Sequence, residues 1–129
     1  LPAALGAKLA TQLDGTNRPV VAFVGDGGFQ FSMQELGTMV QEKLPVVIVL
    51  FDDSSYGVIQ HFQKERYGKT TSATVLKNPY FSDIASAYNL WYAYAGTVEA
   101  MEKAIHSALS SGMPALVHCT ARIRPPERL

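Results

Sequence analysis

The chain has 129 residues, 47% hydrophobic and 17% charged, and its 11 Lys and Arg balance 11 Asp and Glu. That size suits one domain with a single core, and the even charge leaves no global field to draw nucleic acid or an anionic membrane. A single cysteine excludes an internal disulfide framework, and with no apolar run near the ~18 residues of a membrane span and no secretory signal, a reducing cytoplasm is expected.

In chain order, residues 3–14 read as an Ala- and Leu-rich helix closed by Asp14-Gly15. Val20 to Val24 is a continuous apolar run after Pro19, as in a strand covered on both faces. Ser32-Met33-Gln34-Glu35 matches a capping box, so a helix is predicted from an N-cap at Ser32 to about Lys43, with Met33, Leu36, Val40 and Met39 on its inner face. Pro45 introduces a second buried strand, 46–51. Residues 57–66 are weakly helical, with Val58, Ile59 and Phe62 placed inward, and 68–74 read as a mobile polar loop. Asn78-Pro79 looks like an N-cap and N1 pair opening a helix to about Tyr88. Leu90 to Ala95 is a predicted strand. Thr97 caps a helix whose Val98, Met101, Ile105, Ala108 and Leu109 keep helical spacing to Gly112; a last strand covers 115–120, and 122–129 form a polar tail. Cys119, within that last apolar run, reads as a buried inert thiol. Alternating strands and helices predict a doubly wound, mostly parallel α/β sheet with helices on both faces.

Two strand ends carry the chemistry. The first strand releases Gly25-Asp26-Gly27-Gly28, and the second releases Asp52-Asp53-Ser54-Ser55-Tyr56-Gly57. Parallel strands bring both loops to one carboxyl-end edge, where open α/β sheets bind ligands. Carboxylates beside exposed backbone N–H groups there suit a hard divalent cation holding a phosphorylated ligand. A Walker loop is excluded, because no Lys-Ser or Lys-Thr follows Gly28. A dinucleotide fingerprint lacks its third glycine, replaced by Gln30, and its acid comes 26 or 27 residues on rather than roughly 20. A phosphoryl-receiver site would need an acceptor aspartate at a later strand end, and the only later one, Asp83, falls in a predicted helix.

Gly25-Asp26-Gly27-Gly28-Phe29-Gln30-Phe31-Ser32-Met33-Gln34-Glu35-Leu36 resembles the cofactor signature of the thiamine-diphosphate-dependent enzymes, the acetolactate synthase, pyruvate oxidase and 2-keto acid decarboxylase group. Leu44-Pro45-Val46-Val47, Tyr56-Gly57-Val58-Ile59 and Leu1-Pro2-Ala3-Ala4-Leu5-Gly6-Ala7 extend the likeness over nearly the whole chain. The resemblance implies that Asp26, Asp53 and the Ser55 carbonyl ligate Mg²⁺ or Ca²⁺. It also implies that Gly25, Gly27, Gly28, Tyr56 and Gly57 approach the diphosphate of thiamine diphosphate. The parent would decarboxylate a 2-keto acid or transfer the resulting acyl carbanion, as acetolactate synthases do. Alternatives are a domain of a flavin-assisted oxidase or a non-catalytic cofactor-binding or assembly module.

The chain begins at Leu1 rather than Met, so residues 1–129 are expected to be one diphosphate-binding domain of a larger enzyme. The family's pyrimidine-binding domain, on the same or another subunit, and its activating glutamate lie elsewhere in that picture. No catalytic residue is therefore assigned here, the isolated chain is expected to be inactive, and a homo-oligomer is expected. Glu35 reads as a cap, and Glu42 and Glu65 carry no such role either. Asp52-Asp53 departs from the commoner Asn-Asn, and Asp52 is expected to make local turn hydrogen bonds rather than touch metal. The extra carboxylates would make cofactor binding more cation-dependent. His61 reads as a surface residue, although relatives bring the segment containing it and Gln60 towards the active site. His106 and His118 have no companions for a metal or Cys-His site, and Trp91, Tyr92 and Tyr94 read as packing residues. Apolar surface on the first helix and around Phe29–Phe31 is expected to be partly uncovered.

Overall fold

The computed structural model describes residues 1–69 and 73–121. Among these, four parallel strands form one sheet in the spatial order β1-β2-β4-β3: β1 (Val20–Gly25), β2 (Val46–Asp52), β3 (Trp91–Tyr94) and β4 (Ala115–Thr120). β2 and β4 sit centrally and carry the apolar runs, as strands covered on both faces should. Side chains alternate by face. One face gathers Val46, Ile48, Leu50 and Leu116 with Leu5, Phe29, Leu36, Met39 and Phe81; the other gathers Val47, Val49, Val117 and Cys119 with Ala104 and Ala108. The predicted fold class and all four strands are present.

α1 (Pro2–Leu13) ends where predicted, at a C-cap Asp14 followed by Gly15 at φ +76°. Its Lys8 is buried, yet Nζ donates to Asn17 Oδ1 at 2.8 Å and to the Arg18 carbonyl at 3.0 Å, which closes the turn into β1. α6 (Val98–Ser111) is capped as predicted: Thr97 Oγ1 accepts from Ala100 N at 3.1 Å, and Gly112 leaves it at φ +63°. Val98 is nevertheless exposed.

Three local readings fail. The capping box does not form: α2 (Asp26–Gln30) starts six residues before Ser32, a tight turn follows, and α3 (Glu35–Gln41) has Gln34 at its N-cap with no side-chain cap. Ser32 N and Glu35 N already donate to the Phe29 and Ser32 carbonyls, so the box has no orphan donors to satisfy. Asn78 is no cap either, since α5 (Phe81–Ala87) begins after Tyr80. α4 (Gly57–Tyr67) is a helix, but it has no buried residue, and Val58, Ile59 and Phe62 face out rather than in. The predicted loop 68–74 lies partly outside the described residues; its end is pinned, with Thr74 buried and its carbonyl accepting from Tyr56 N at 2.9 Å. The predicted tail 122–129 lies outside them entirely.

Of the apolar surface expected to be uncovered, Leu9, Leu13 and Phe31 are exposed, whereas Phe29 is fully buried. Cys119 is a buried free thiol, and burial raises its pKa. No helix among the described residues is long and apolar enough to cross a membrane.

Candidate functional site

The register Gly25↔Phe51 sets the ends of β1 and β2 side by side, so Asp26 and the pair Asp52-Asp53 emerge together. Asp26 is the first residue of α2 and only 2% exposed. Its Oδ1 accepts from Gly27 N at 2.9 Å and its Oδ2 from Asn78 Nδ2 at 2.6 Å. Burial raises its pKa above the ordinary 3.8; the nearby negative charges of Asp52 and Asp53 push the same way, against the Asn78 and Gly27 hydrogen bonds. A cation placed there would offset that unfavourable charge.

Asp52 and Asp53 each close a turn onto the residue two further on. Asp52 Oδ1 accepts from Ser54 N at 3.0 Å and Oγ at 3.2 Å, and Asp53 Oδ1 from Ser55 N at 3.1 Å and Oγ at 2.9 Å. Ser54 takes φ +53° to allow this. The expected local role of Asp52 is thus present, and a further one joins it: Oδ1 also accepts from Asn78 Nδ2 at 2.8 Å, while Oδ2 lies 3.3 Å from His118 Nε2. Burial alone would raise its pKa, but the Ser54 and Asn78 hydrogen bonds outweigh that and hold it below 3.8. Leu76 N donates to the Ser54 carbonyl at 2.8 Å and Ser55 bridges Val75, so the acidic loop is tied to the segment beyond the undescribed residues.

Gly25, Asp26, Gly27 and Gly28 form one side of a cleft of about 190 Å³, and Ser55, Tyr56, Gly57, Val58 and Ile59 form the other. Every glycine and carbonyl position singled out in the sequence lines it, while Asp53 lines a neighbouring hollow with Ser55 and Gln60. The glycines differ in what they permit. A Cβ on Gly27 would overlap the Tyr56 ring, whereas Gly25 and Gly28 have open space where a Cβ would stand. Main chain can therefore close on a ligand at those two positions. Hard oxygen donors beside a backbone-lined cradle fit Mg²⁺ or Ca²⁺ carrying a diphosphate. Among the described residues no group of three or more His, Cys, Asp or Glu is set to hold a metal.

Sequence reasoning missed two members. Asn78 joins Asp26 to Asp52 across 52 and 26 residues. His118, given no role in the sequence reading, meets Asp52 and the Tyr92 hydroxyl (3.1 Å from Nδ1), with Phe81 and Tyr94 edge-on to its ring at 5.2 and 5.4 Å. Tyr92 and Tyr94 accordingly line a second hollow with His118 and Asp52 rather than the core alone. His61 is half-exposed and 3.4 Å from Glu65, whereas Gln60, whose Nε2 donates to the Thr74 carbonyl, lines the hollow beside Asp52 and Asp53.

Comparison with known proteins gives the family of the chain. The chain is 37% identical over 122 residues to the acetolactate synthase isozyme 2 large subunit of Escherichia coli K12, covering 92% of this chain and 21% of that protein. It is 31% identical over 134 residues to the sulfoacetaldehyde acetyltransferase of Alcaligenes xylosoxydans xylosoxydans, covering 99% and 22%. The crystal structure of benzoylformate decarboxylase from Polynucleobacter necessarius superposes with a TM-score of 0.87 at 30% identity, over 97% of this chain and 24% of that one. The chain thus spans about a fifth to a quarter of the length of these relatives. Residues 1–119 match the family described as thiamine pyrophosphate enzyme, C-terminal TPP binding domain, and it is to this family that the chain belongs.

Proposed function

We propose that the chain holds the cation–diphosphate end of thiamine diphosphate within an enzyme that decarboxylates 2-keto acids or transfers the acyl unit so formed. The observation that carries this is Asp26, a buried carboxylate raised in pKa among like charges, opening directly onto a glycine-lined cleft. Asp26 and Asp53 would supply carboxylate oxygens to Mg²⁺ or Ca²⁺, and Ser55 its carbonyl. Gly25, Gly27, Gly28, Tyr56 and Gly57 would lie against the diphosphate. Thiamine diphosphate supplies the carbanion chemistry; the protein binds, orients and shields it. Related proteins named as acetolactate synthase, acetyltransferase and decarboxylase support that reaction class.

No residue of this chain is assigned a catalytic role. A pyrimidine-binding domain of the same or another subunit, a 2-keto acid substrate and a homo-oligomeric assembly belong to the same proposal. Calorimetric titration with thiamine diphosphate and Mg²⁺ tests it. The wild type should bind only when both are present, and Asp26→Ala should lose binding by at least ~100-fold, as expected when a metal ligand is removed. Equal binding with and without Mg²⁺, or by Asp26→Ala, would sink the assignment.

A further inference from the structure

We propose that Asn78 is a positioning residue of the cation site, the neutral spacer that holds the Asp26 and Asp52 carboxylates in place, with Gln30 fixing the orientation of its amide. This deepens the cation–diphosphate reading of the site and rests on it. Both N–H bonds of Asn78 Nδ2 are used, one towards Asp26 Oδ2 at 2.6 Å and one towards Asp52 Oδ1 at 2.8 Å. Its Oδ1 accepts from Gln30 Nε2 at 2.9 Å, and the same Gln30 nitrogen reaches the Asp26 carbonyl at 3.4 Å. Turning the amide over would set Oδ1 against two carboxylate oxygens and Nδ2 against Gln30 Nε2. The network therefore admits one orientation.

Two facing carboxylates repel each other, and a cation ligand left to repulsion would sample several rotamers. Asn78 removes that freedom. Asp26 is pinned through both oxygens, by Gly27 N and by Asn78. Asp52, pinned by Ser54 and Asn78 with His118 on its far side, serves as the anchor from which Asp26 is held. Groups that orient a ligating carboxylate typically change metal affinity by about 10–100-fold when removed. Gln30 contributes one step further out, so its share is smaller.

The test titrates Mg²⁺ into the full-length protein at saturating thiamine diphosphate, for wild type, Asn78→Ala and Gln30→Ala. Asn78→Ala should weaken apparent Mg²⁺ affinity by about 10–100-fold and Gln30→Ala by about threefold. Added Mg²⁺ should restore full cofactor binding in both, and the metal-free unfolding midpoint of Gln30→Ala should match wild type. If wild type binds and both variants bind within about twofold of it, the positioning role falls while the site reading stands. Lost binding that excess Mg²⁺ does not restore would also overturn the role, as general damage. If wild type shows no Mg²⁺-dependent binding, it is the site reading that falls. Should Asn78→Ala not fold, Gln30→Ala decides alone: weakening supports the role, and unchanged affinity removes it.

Discussion

The two sides of the cleft are built differently. On one, Asp26 and Gly27 are buried at the start of α2, and Phe29 behind them is fully buried against Phe81, ring centroids 5.9 Å apart. On the other, α4 runs from Gly57 to Tyr67 with no buried residue, and Val58, Ile59 and Phe62 stand about half exposed or more. The side that would hold the cation is thus fixed by the core of the domain, by hydrogen bonds within α2 and by one that reaches it from Asn78. The facing helix is held at its start by the Tyr56–Thr74 and Ser54–Leu76 backbone pairs and by little burial of its own. Rigidity is concentrated where ligand geometry is strictest, which is what a preorganised ion site requires.

That contrast can be tested by substitution. Phe29→Ala should have the largest effect, about 3–5 kcal/mol lost in chemical denaturation, because a fully buried ring leaves a cavity beneath Asp26. A loss below about 1 kcal/mol would mean the Asp26 side is not core-anchored.

Next in size is a pH effect. Asp52 has its pKa held below 3.8, so its stabilising share is complete above that value and is lost as pH falls through the lower folded-state pKa. Asp26 works in the opposite sense: its raised pKa gives a share present at low pH and lost as pH rises through it. In metal-free protein, Asp52→Asn should therefore lose less unfolding free energy than wild type on acidification below pH 3.8. Parallel curves for the two proteins would show that Asp52 carries no such linkage.

The smallest effect should be at Phe62, which is 59% exposed. Phe62→Ser should change the stability of this chain by no more than about 0.5 kcal/mol. A loss of several kcal/mol would show α4 to be packed after all and erase the difference between the two sides.

The sheet was readable in the sequence because its information is local and redundant. Val20–Val24 and Val46–Phe51 are uninterrupted apolar runs bounded by Pro and by Gly or Asp, Ala115–Thr120 is a largely apolar run opened by Pro114, and each became a strand within a residue of its expected ends. Strand ends then delivered Asp26 and Asp53 to one edge without further assumption. What escaped was non-local. Asn78-Pro79 carries a strong local helix-start pattern, yet the Asn78 side chain is engaged by two carboxylates that only the fold brings within reach. The one signal available was a surplus of acid: three aspartates at one edge call for a neutral or positive partner. His118 escaped for a similar reason, its partners Asp52 and Tyr92 arriving from two other strands. Ser32 failed in the reverse direction, a correct local motif made redundant by the turn that already used its donors. Val58, Ile59 and Phe62 misled because helical spacing reports a stripe and says nothing of what lies beneath it.

The pairing of β1 with β2, from Val20↔Val46 to Gly25↔Phe51, also determines which edits the chain can absorb. Removing one residue inside β1 would turn its tip by a pleat and send Asp26 to the opposite face of the sheet. Extra residues at the exposed Glu42-Lys43 corner would lengthen a connector while leaving both tips where the interstrand hydrogen bonds hold them, at about 0.6 kcal/mol per doubling of loop length. The spacing that matters for gripping an ion is thus measured across the sheet, in ladder rungs, and is indifferent to how much chain is threaded between the two ends.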